Sequence, residues 1–292
     1  MSYIIYLRVG CNFQTSQLMK IIFRFHLIIS ILLSLCTTGI VCGQDINVKL
    51  GFADSIHSSI LKEKRKIIIR LPDDYDASKK TYPVLYLLDG DVNSLLHTVS
   101  VINKLDRDEN IPKMIVIAIG NTDRDRDMMP LSTKQYTVTV AGAEQFLSFI
   151  GDELIPQIEK GYRTNQQRIL CGQSLSGLFT LYALLTRPQL FESYIGRSAG
   201  WLEDMNNYFI ALTDEAFQQP DLYKHKKIFM CNSLIDNYDK DHVVHKQMLE
   251  FSEKIKVTLG DKIQYKYVTY NNYPHVPFPS LYDGLKFIFE GR

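Results

Sequence analysis

The chain alternates between short runs of apolar residues and longer segments whose apolar residues recur with a helical period. Continuous apolar runs of this length, bounded by polar residues, predict strands that are buried on both faces. The predicted strands are Lys66–Leu71, Val84–Leu88, Met114–Ile119, Arg168–Cys171, Tyr194–Gly196, Ile228–Cys231 and Tyr265–Tyr270. Strands that alternate with helices form a mostly parallel sheet covered by helices on both faces. We therefore expect an α/β fold with a sheet of about eight strands.

Helical periodicity is clearest over Ala141–Tyr162. Apolar residues spaced three or four apart place one face of this helix against the core, namely Phe146, Phe149, Ile150, Leu154 and Ile158. Further helices are predicted at Leu178–Leu185 and Leu281–Phe289. Ligands of such sheets bind at the carboxyl ends of the strands. The residues that directly follow each predicted strand are therefore the first candidates for chemistry.

The first 43 residues differ from the rest of the chain in charge. They contain three basic residues and no acidic residue, whereas the remaining 249 contain 30 basic and 32 acidic residues. Lys20 and Arg24 precede the apolar run Leu27–Leu35. If the chain is cleaved after Gly43, the small residues Val41 and Gly43 occupy the third and first positions before the cleavage site. This layout is typical of a secretory signal. We expect residues 1–43 to be a signal peptide, so that residues 44–292 form an exported periplasmic or extracellular domain.

A membrane anchor and a lipid-attached cysteine are the alternatives to cleavage. The apolar run is shorter than the roughly 20 residues that a spanning helix needs, although neighbouring apolar residues lengthen it. Cys36 and Cys42 lack the preceding residues typical of a lipid-modified cysteine. Met19 stands just before the charged residues and is an alternative start of translation. A cleaved signal fits this pattern best, and no membrane span is expected in the mature protein.

The overall composition excludes several classes of protein. The chain has 292 residues, a net charge of +1 and 46% hydrophobic residues, which is typical of a soluble globular protein. A nucleic-acid-binding protein would show a clustered basic excess. Residues 44–292 contain no repeat or flexible linker, so one domain is expected. Cys171 and Cys231 fall in predicted buried strands, where free thiols acting as small apolar groups are favoured over a disulfide.

Ser174 stands at a predicted turn between a strand and a helix. The sequence Gly172-Gln173-Ser174-Leu175-Ser176-Gly177 follows strand Arg168–Cys171 and precedes an apolar helix. This context is typical of a nucleophile elbow, in which small neighbours let the backbone turn sharply below an exposed serine. The alternative is a serine that only caps the helix. Ser174 is the candidate nucleophile.

His275 is the candidate base. Six histidines lie beyond residue 43, and among them only His275 follows the last predicted strand and precedes the last predicted helix. Pro274 and Pro277 flank it and restrict the loop. A serine nucleophile needs a base that removes its proton. The alternative is a loop histidine without a catalytic role.

An acidic residue that orients the base is expected after strand Ile228–Cys231. Asp236 comes closest after the strand and is preferred, while Asp239 and Asp241 remain alternatives. The carboxylate of this acid would stabilise the protonated imidazole of His275. The order serine, acid, histidine along the chain is that of one class of hydrolase.

A developing negative charge on the substrate oxygen needs two backbone N–H donors. Leu175, at the start of the helix, supplies one. The loop after strand Val84–Leu88 supplies the second, where Gly90 lets the backbone approach a ligand and Asp91 is the preferred donor. The alternative is a simple turn that closes the strand.

Several segments of the chain together resemble a known family. They are Leu71–Tyr75, Tyr82–Gly90, Ile119–Arg124, Glu153–Pro156, Tyr162–Thr164 and Ser280–Leu285. These segments resemble the putative esterase family of α/β-hydrolases, which contains S-formylglutathione hydrolase, mycolyltransferases, feruloyl esterases and ferric-siderophore esterases. The resemblance is closest to the bacterial siderophore-esterase-like branch. It implies the α/β-hydrolase fold, Ser174 as nucleophile, His275 as base, an acid near Asp236, and Asp91 and Leu175 as oxyanion donors.

Three positions depart from the pattern of that family. Gln173 precedes the serine where family members commonly have histidine, Ser176 replaces a glycine, and Val276 follows His275 where glycine is frequent. These departures bear on catalytic efficiency and on the substrate more than on the reaction class.

Two further side chains follow strand ends and are candidates for contact with substrate. Arg124, or Arg126 close to it, lies in a mixed-charge loop and would meet an anionic group of the substrate. The alternative is that the charges of this loop only pair with one another and face solvent. Trp201 would form an aromatic wall, with core packing as the alternative. His242 and His245 share a helical spacing, but a first-row metal site needs further ligands, so no metal and no organic cofactor are expected.

The sequence therefore predicts a secreted serine ester hydrolase that acts on a small-molecule ester. An acyltransferase that uses the same site, and a non-catalytic binding protein that keeps the fold, are the alternatives.

Overall fold

The computed structural model describes residues 15–36, 48–108, 111–133 and 140–291, which belong to two units, Met1–Val48 and Lys49–Arg292. In the first unit, helix α1 (Thr15–Cys36) carries the basic and apolar residues of the predicted signal, and Phe23 and Ile28 are exposed on it. The predicted cut after Gly43 lies outside the described residues. In these ranges, no helix combines the length and the apolar character that crossing a bilayer requires.

The second unit is built on one sheet of eight strands. The strands are β1 (Phe52–Ser58), β2 (Glu63–Arg70), β3 (Tyr82–Leu87), β4 (Ile115–Ile119), β5 (Thr164–Gln173), β6 (Ser193–Arg197), β7 (Lys227–Ser233) and β8 (Gln264–Tyr270). Their order across the sheet is β1-β2-β4-β3-β5-β6-β7-β8. Strand β2 pairs antiparallel with both β1 and β4, and the pairs from β4 to β8 are parallel. The expected mostly parallel sheet is confirmed.

All seven predicted strands correspond to β2–β8, and β1 was not predicted. Its first three residues, Phe52, Ala53 and Asp54, are exposed because the strand forms one edge of the sheet. An edge strand has few buried positions and therefore lacks a continuous apolar run. In contrast, all residues of β3 and β4 are buried.

Helices cover both faces of this sheet. They are α2 (Val92–Arg107), α3 (Arg124–Met128), α4 (Ala143–Ser148), α5 (Ile155–Gly161), α6 (Leu175–Thr186), α7 (Asn206–Ala216), α8 (Val243–Leu259) and α9 (Ser280–Phe289). Helices α2 and α9 pack on one face, and the remaining long helices contribute to the core on the other. Short 3₁₀ turns lie at Pro188–Leu190, Glu203–Met205, Pro220–Tyr223 and Gly260–Lys262.

The predicted helix over Ala141–Tyr162 is helical throughout most of its length but changes geometry at its centre. A π-helical segment, Phe149–Leu154, joins α4 to α5. Pro156 then lies in the first turn of α5, where its missing N–H costs least. The change from π-helical to α-helical geometry thus falls beside the proline.

Cys171 and Cys231 are free and buried, as predicted. They lie on β5 and β7, which are separated by β6. Two strand spacings amount to about 10 Å, which exceeds the reach of a disulfide. Burial raises the pKa of both thiols to about 11, so they remain protonated and act as small apolar side chains.

The candidate residues lie together at the end of the sheet where its parallel strands terminate. Strands β3, β5, β7 and β8 are members of its parallel part, so their carboxyl ends lie on the same side. The residues that follow these ends are Asp89, Ser174, Asp236 and His275.

Candidate active site

Ser174 lies at a sharp turn between β5 and α6. Its backbone has φ 54° and ψ −122°, a left-handed conformation that a residue with a side chain rarely adopts. Its N–H donates to the carbonyl oxygen of Arg197 at 2.9 Å. A Cβ atom at Gly172 would overlap the carbonyl group of Ser176. The turn therefore requires glycine at position 172 and presents the serine hydroxyl at the carboxyl end of β5.

The side chains of Ser174, His275 and Asp236 form a continuous line of hydrogen bonds. His275 Nε2 lies 2.7 Å from Ser174 Oγ, and His275 Nδ1 lies 2.6 Å from Asp236 Oδ2. The imidazole is 27% exposed and the carboxylate 7% exposed, so the imidazole is reachable while the carboxylate is shielded from water. The arrangement fits the roles predicted for the three residues, which stay predictions.

The three aspartates that follow β7 differ in their contacts. Asp236 Oδ1 also accepts the N–H of Tyr238 at 2.8 Å, which orients the carboxylate. Asp239 instead accepts the N–H groups of Val244 and His245, at 3.0 and 2.8 Å, at the start of α8. Asp241 is exposed. Asp236 is thus the aspartate that contacts His275.

Two serines hold the loop that carries His275. The hydroxyl of Ser198, just beyond β6, donates to the carbonyl oxygen of His275, and the hydroxyl of Ser233, at the end of β7, donates to that of Tyr273. Sequence reasoning missed both residues, although each lies at the end of a predicted strand. The ring of Tyr238 lies 4.7 Å from the His275 ring and was also missed.

The two predicted oxyanion donors differ in their surroundings. Leu175 is the first residue of α6 and lines the pocket beside Ser174. The N–H of Asp91 donates to the carbonyl oxygen of Asp89 at 2.9 Å, and its carboxylate accepts the N–H of Ser94 at 2.7 Å to cap α2. Asp91 is not among the residues that line the pocket. Its role as a donor stays a prediction.

Arg124 forms a bidentate ion pair with Asp89. Its Nε and Nη2 atoms lie 2.7 and 2.8 Å from the two carboxylate oxygens, and Asn121 and Ser176 donate to the same carboxylate. Burial by itself raises the pKa of Asp89, but the hydrogen bonds from Arg124, Asn121 and Ser176 outweigh it, so the pKa lies below its usual value. Asp89 is therefore ionised at neutral pH and balances the charge of Arg124.

A pocket of about 280 Å³ opens at Ser174 and His275. Arg124 and Trp201, the two predicted substrate contacts, both line it, as do the apolar side chains of Leu178, Leu202 and Val244. Trp201 is only 3% exposed and packs in the core, while its contact with substrate stays a prediction.

His242 and His245 are not part of a larger ligand cluster among the described residues. His242 precedes the helix in a left-handed conformation, and Nδ1 of His245 lies 3.3 Å from the hydroxyl of Tyr267. Within the described ranges, no group of three or more His, Cys, Asp or Glu side chains is arranged to hold a metal ion.

Comparison with known proteins identifies the family. The sequence model of the family described as "Putative esterase" matches residues 58–271, most of the chain. The chain belongs to this esterase family. A curated relative, ferri-bacillibactin esterase BesA of Bacillus subtilis (strain 168), is 33% identical over 129 residues, which cover 38% of this chain and 44% of the relative. The match thus spans less than half of that protein.

Solved structures of related proteins share the fold over most of the chain. An IroE-like serine hydrolase from Shewanella oneidensis has a TM-score of 0.74 at 30% identity, covering 82% of this chain and 80% of the other. The BES protein from Bacillus cereus has a TM-score of 0.73 at 23% identity, covering 86% and 99%. The enterobactin esterase FES from Shigella flexneri has a TM-score of 0.63 at 17% identity, covering 86% and 61%. The expected α/β-hydrolase fold and the resemblance to the siderophore-esterase-like branch are confirmed.

Proposed function

We propose that this chain is a serine carboxylic-ester hydrolase that works through an acyl-enzyme on Ser174. The observation that supports the proposal is the line of hydrogen bonds from Ser174 Oγ through His275 to Asp236, at the opening of a pocket. Membership of the esterase family agrees with it.

In the first half of the reaction, Ser174 Oγ attacks the ester carbonyl carbon while His275 Nε2 takes the hydroxyl proton. Asp236 holds the ring so that Nδ1 keeps its proton and Nε2 is free to accept one. The N–H groups of Leu175 and Asp91 stabilise the oxyanion. For this the Asp91 N–H turns from the carbonyl oxygen of Asp89 toward the substrate.

In the second half, His275 donates its proton to the departing alcohol, and the acyl group remains on Ser174. Water then enters, gives a proton to His275 and attacks the acyl carbonyl. Collapse of this second intermediate releases the carboxylic acid and returns the proton to Ser174 Oγ. No metal or organic cofactor takes part in this scheme.

For the substrate we propose a small ester of the siderophore type, or an acylated small molecule or carbohydrate. The relatives named for ferri-bacillibactin and enterobactin support the first choice. The pocket combines apolar walls with Arg124, whose charge Asp89 balances. Such walls suit an aryl or alkyl group.

The proposal is tested with p-nitrophenyl acetate and butyrate. Ser174→Ala and His275→Ala each lower kcat by about 10³-fold or more, because each removes a group that acts as a unit with the other. Equal rates for wild type and both variants would contradict the proposal. A new ester formed in the presence of an added alcohol would instead assign the chain as an acyltransferase.

We also propose that the chain is exported. Support comes from the basic residues Lys20 and Arg24 on α1, together with the apolar residues that follow them. The expected result is active protein in the periplasm or medium whose first residue is Gln44. Retention in the cytoplasm with an intact N-terminus would contradict export, and recovery in the membrane fraction would indicate an anchor.

A further inference from the structure

Trp201 lines the active-site pocket and also a second cavity. The second cavity has a volume of about 80 Å³ and lies between α7 and α8, where Ile210, Thr213 and Phe251 form part of its wall. Among the described residues, Trp201 is the one that lines both spaces. Ile210 is 44% exposed, so the second cavity opens to solvent near this residue.

The indole of Trp201 is held on three sides. It stacks on Phe209 with ring centres 4.8 Å apart and 4° between the planes, and it meets Phe251 edge-on at 5.4 Å. Its Nε1 donates to Asn206 Oδ1 at 2.9 Å. A ring with these contacts cannot swing aside without losing both aromatic packing and a hydrogen bond. It is therefore a fixed wall.

We propose that Trp201 sets an upper limit on the size of one substituent of the ester, by closing the pocket against the cavity between α7 and α8. This inference rests on the proposed function. Leu178, Leu202 and Val244 line the same pocket, so the limited substituent is apolar. The structure thus assigns the wild-type enzyme to esters that carry a short alkyl or small aryl group at this end.

Replacing the indole with a smaller side chain joins the two spaces. A longer chain then passes beside Ser174, through the position of Trp201, and emerges between α7 and α8. Ile210 lies on that path but does not line the active-site pocket. A larger side chain at position 210 therefore blocks the path again without altering the pocket itself.

The experiment uses the full chain and two series of substrates. One series varies the acyl group in p-nitrophenyl esters from acetate to decanoate, and the other varies the alcohol in butyrate esters from ethanol to decanol. The readout is the ratio of kcat/KM for the longest ester to that for the shortest. In Trp201→Leu this ratio rises about tenfold or more in at least one series, since each accommodated methylene contributes to binding. Adding Ile210→Phe to that variant returns the ratio toward wild type, and Ile210→Phe alone leaves the wild-type ratio unchanged.

Trp201→Leu leaves space in a packed region, so its folding is checked by circular dichroism. Trp201→Phe is the second variant, which keeps an aromatic ring and is expected to give a smaller rise. An unchanged ratio in a folded variant that still hydrolyses the short ester overturns the role of Trp201 and leaves the proposed function intact. A wild-type chain without hydrolysis that depends on Ser174 contradicts the proposed function itself, and the inference with it.

Discussion

The hydroxyl of Ser176 lies 2.8 Å from a carboxylate oxygen of Asp89, so the first turn of α6 contacts the loop that follows β3. Ser176 Oγ also accepts the N–H of Gln173 at 2.7 Å. Asp89 in turn binds Arg124. Ser176 thus connects the turn of the candidate nucleophile to the loop of the candidate oxyanion donor Asp91.

Loss of this contact is expected to lower kcat more than it changes KM. Ser176→Ala removes a buried hydrogen bond to a charged group, worth about 1.5–3 kcal/mol, and the two loops are then free to shift. We expect kcat to fall roughly tenfold on p-nitrophenyl acetate, which corresponds to about 1.4 kcal/mol. Ser252→Ala, at another buried serine, is the matched control. Equal kcat values for the two variants would contradict a positioning role for Ser176.

The lowered pKa of Asp89 predicts a specific pH dependence of stability. A carboxylate whose pKa is lower in the folded state stabilises the protein fully above its unfolded pKa of about 3.9 and loses this contribution as pH falls through the folded value. Asp89→Asn is therefore less stable than wild type near pH 7. The difference in the free energy of unfolding shrinks below about pH 4. Urea unfolding at several pH values measures it, and a difference that is constant with pH would refute the prediction.

The three aspartates after β7 are distinguished by substitution with asparagine. In Asp236→Asn a neutral amide replaces the carboxylate beside His275 Nδ1, so the charge that stabilises the imidazolium is lost and the NH2 group favours the wrong tautomer; kcat is expected to fall on the order of 10³–10⁴-fold. Asp239→Asn affects mainly the start of α8. Asp241 is exposed, so Asp241→Asn serves as the control with unchanged kcat. Full activity of Asp236→Asn would show that another acid orients His275.

Gly172 is expected to be essential for the turn at Ser174. Gly172→Ala would force a methyl group against the backbone of Ser176, which costs about 1–3 kcal/mol or more and displaces the nucleophile. Gly161→Ala is the matched control, because a Cβ atom there meets no atom within 4 Å. Thermal unfolding and kcat are measured for both variants. Comparable values for the two would contradict the steric requirement.

Cys171 and Cys231 are expected to resist alkylation in the folded protein. Both are fully buried, and burial raises the pKa of each thiol to about 11, so little thiolate exists at pH 8. Treatment with iodoacetamide followed by peptide mass mapping should find both unmodified. The same treatment in guanidinium chloride should modify both. Rapid modification without denaturant would show that β5 or β7 opens readily.

The local pattern of apolar and polar residues was sufficient to predict most of the fold. The fully buried strands β3 and β4 produced continuous apolar runs, and the turn at Ser174 was recognisable because Gly172 and Gly177 leave room for the backbone. Strand β1 was not recognised because it lies at an edge of the sheet and has few buried positions, so that its formation depends on pairing with β2.

The candidate site was only partly accessible to the same reasoning. Ser174 and His275 could be named because each follows a strand and has the required chemistry. The sequence did not distinguish Asp236 from Asp239 as the acid that orients His275, since both follow β7 and both have carboxylates. The difference between them is three-dimensional: one reaches His275 and the other reaches the N–H groups of α8.

The sequence by itself determined the order of strands β2–β8, the sharp turn at Ser174 and the chemical groups available at the strand ends, because these depend on neighbours along the chain. The tertiary structure alone decided which acid contacts His275, that Ser176 and Arg124 share Asp89, and that Trp201 lines two cavities. These relations join residues distant in the chain. They arise only when the parallel strands bring their ends to one edge of the sheet.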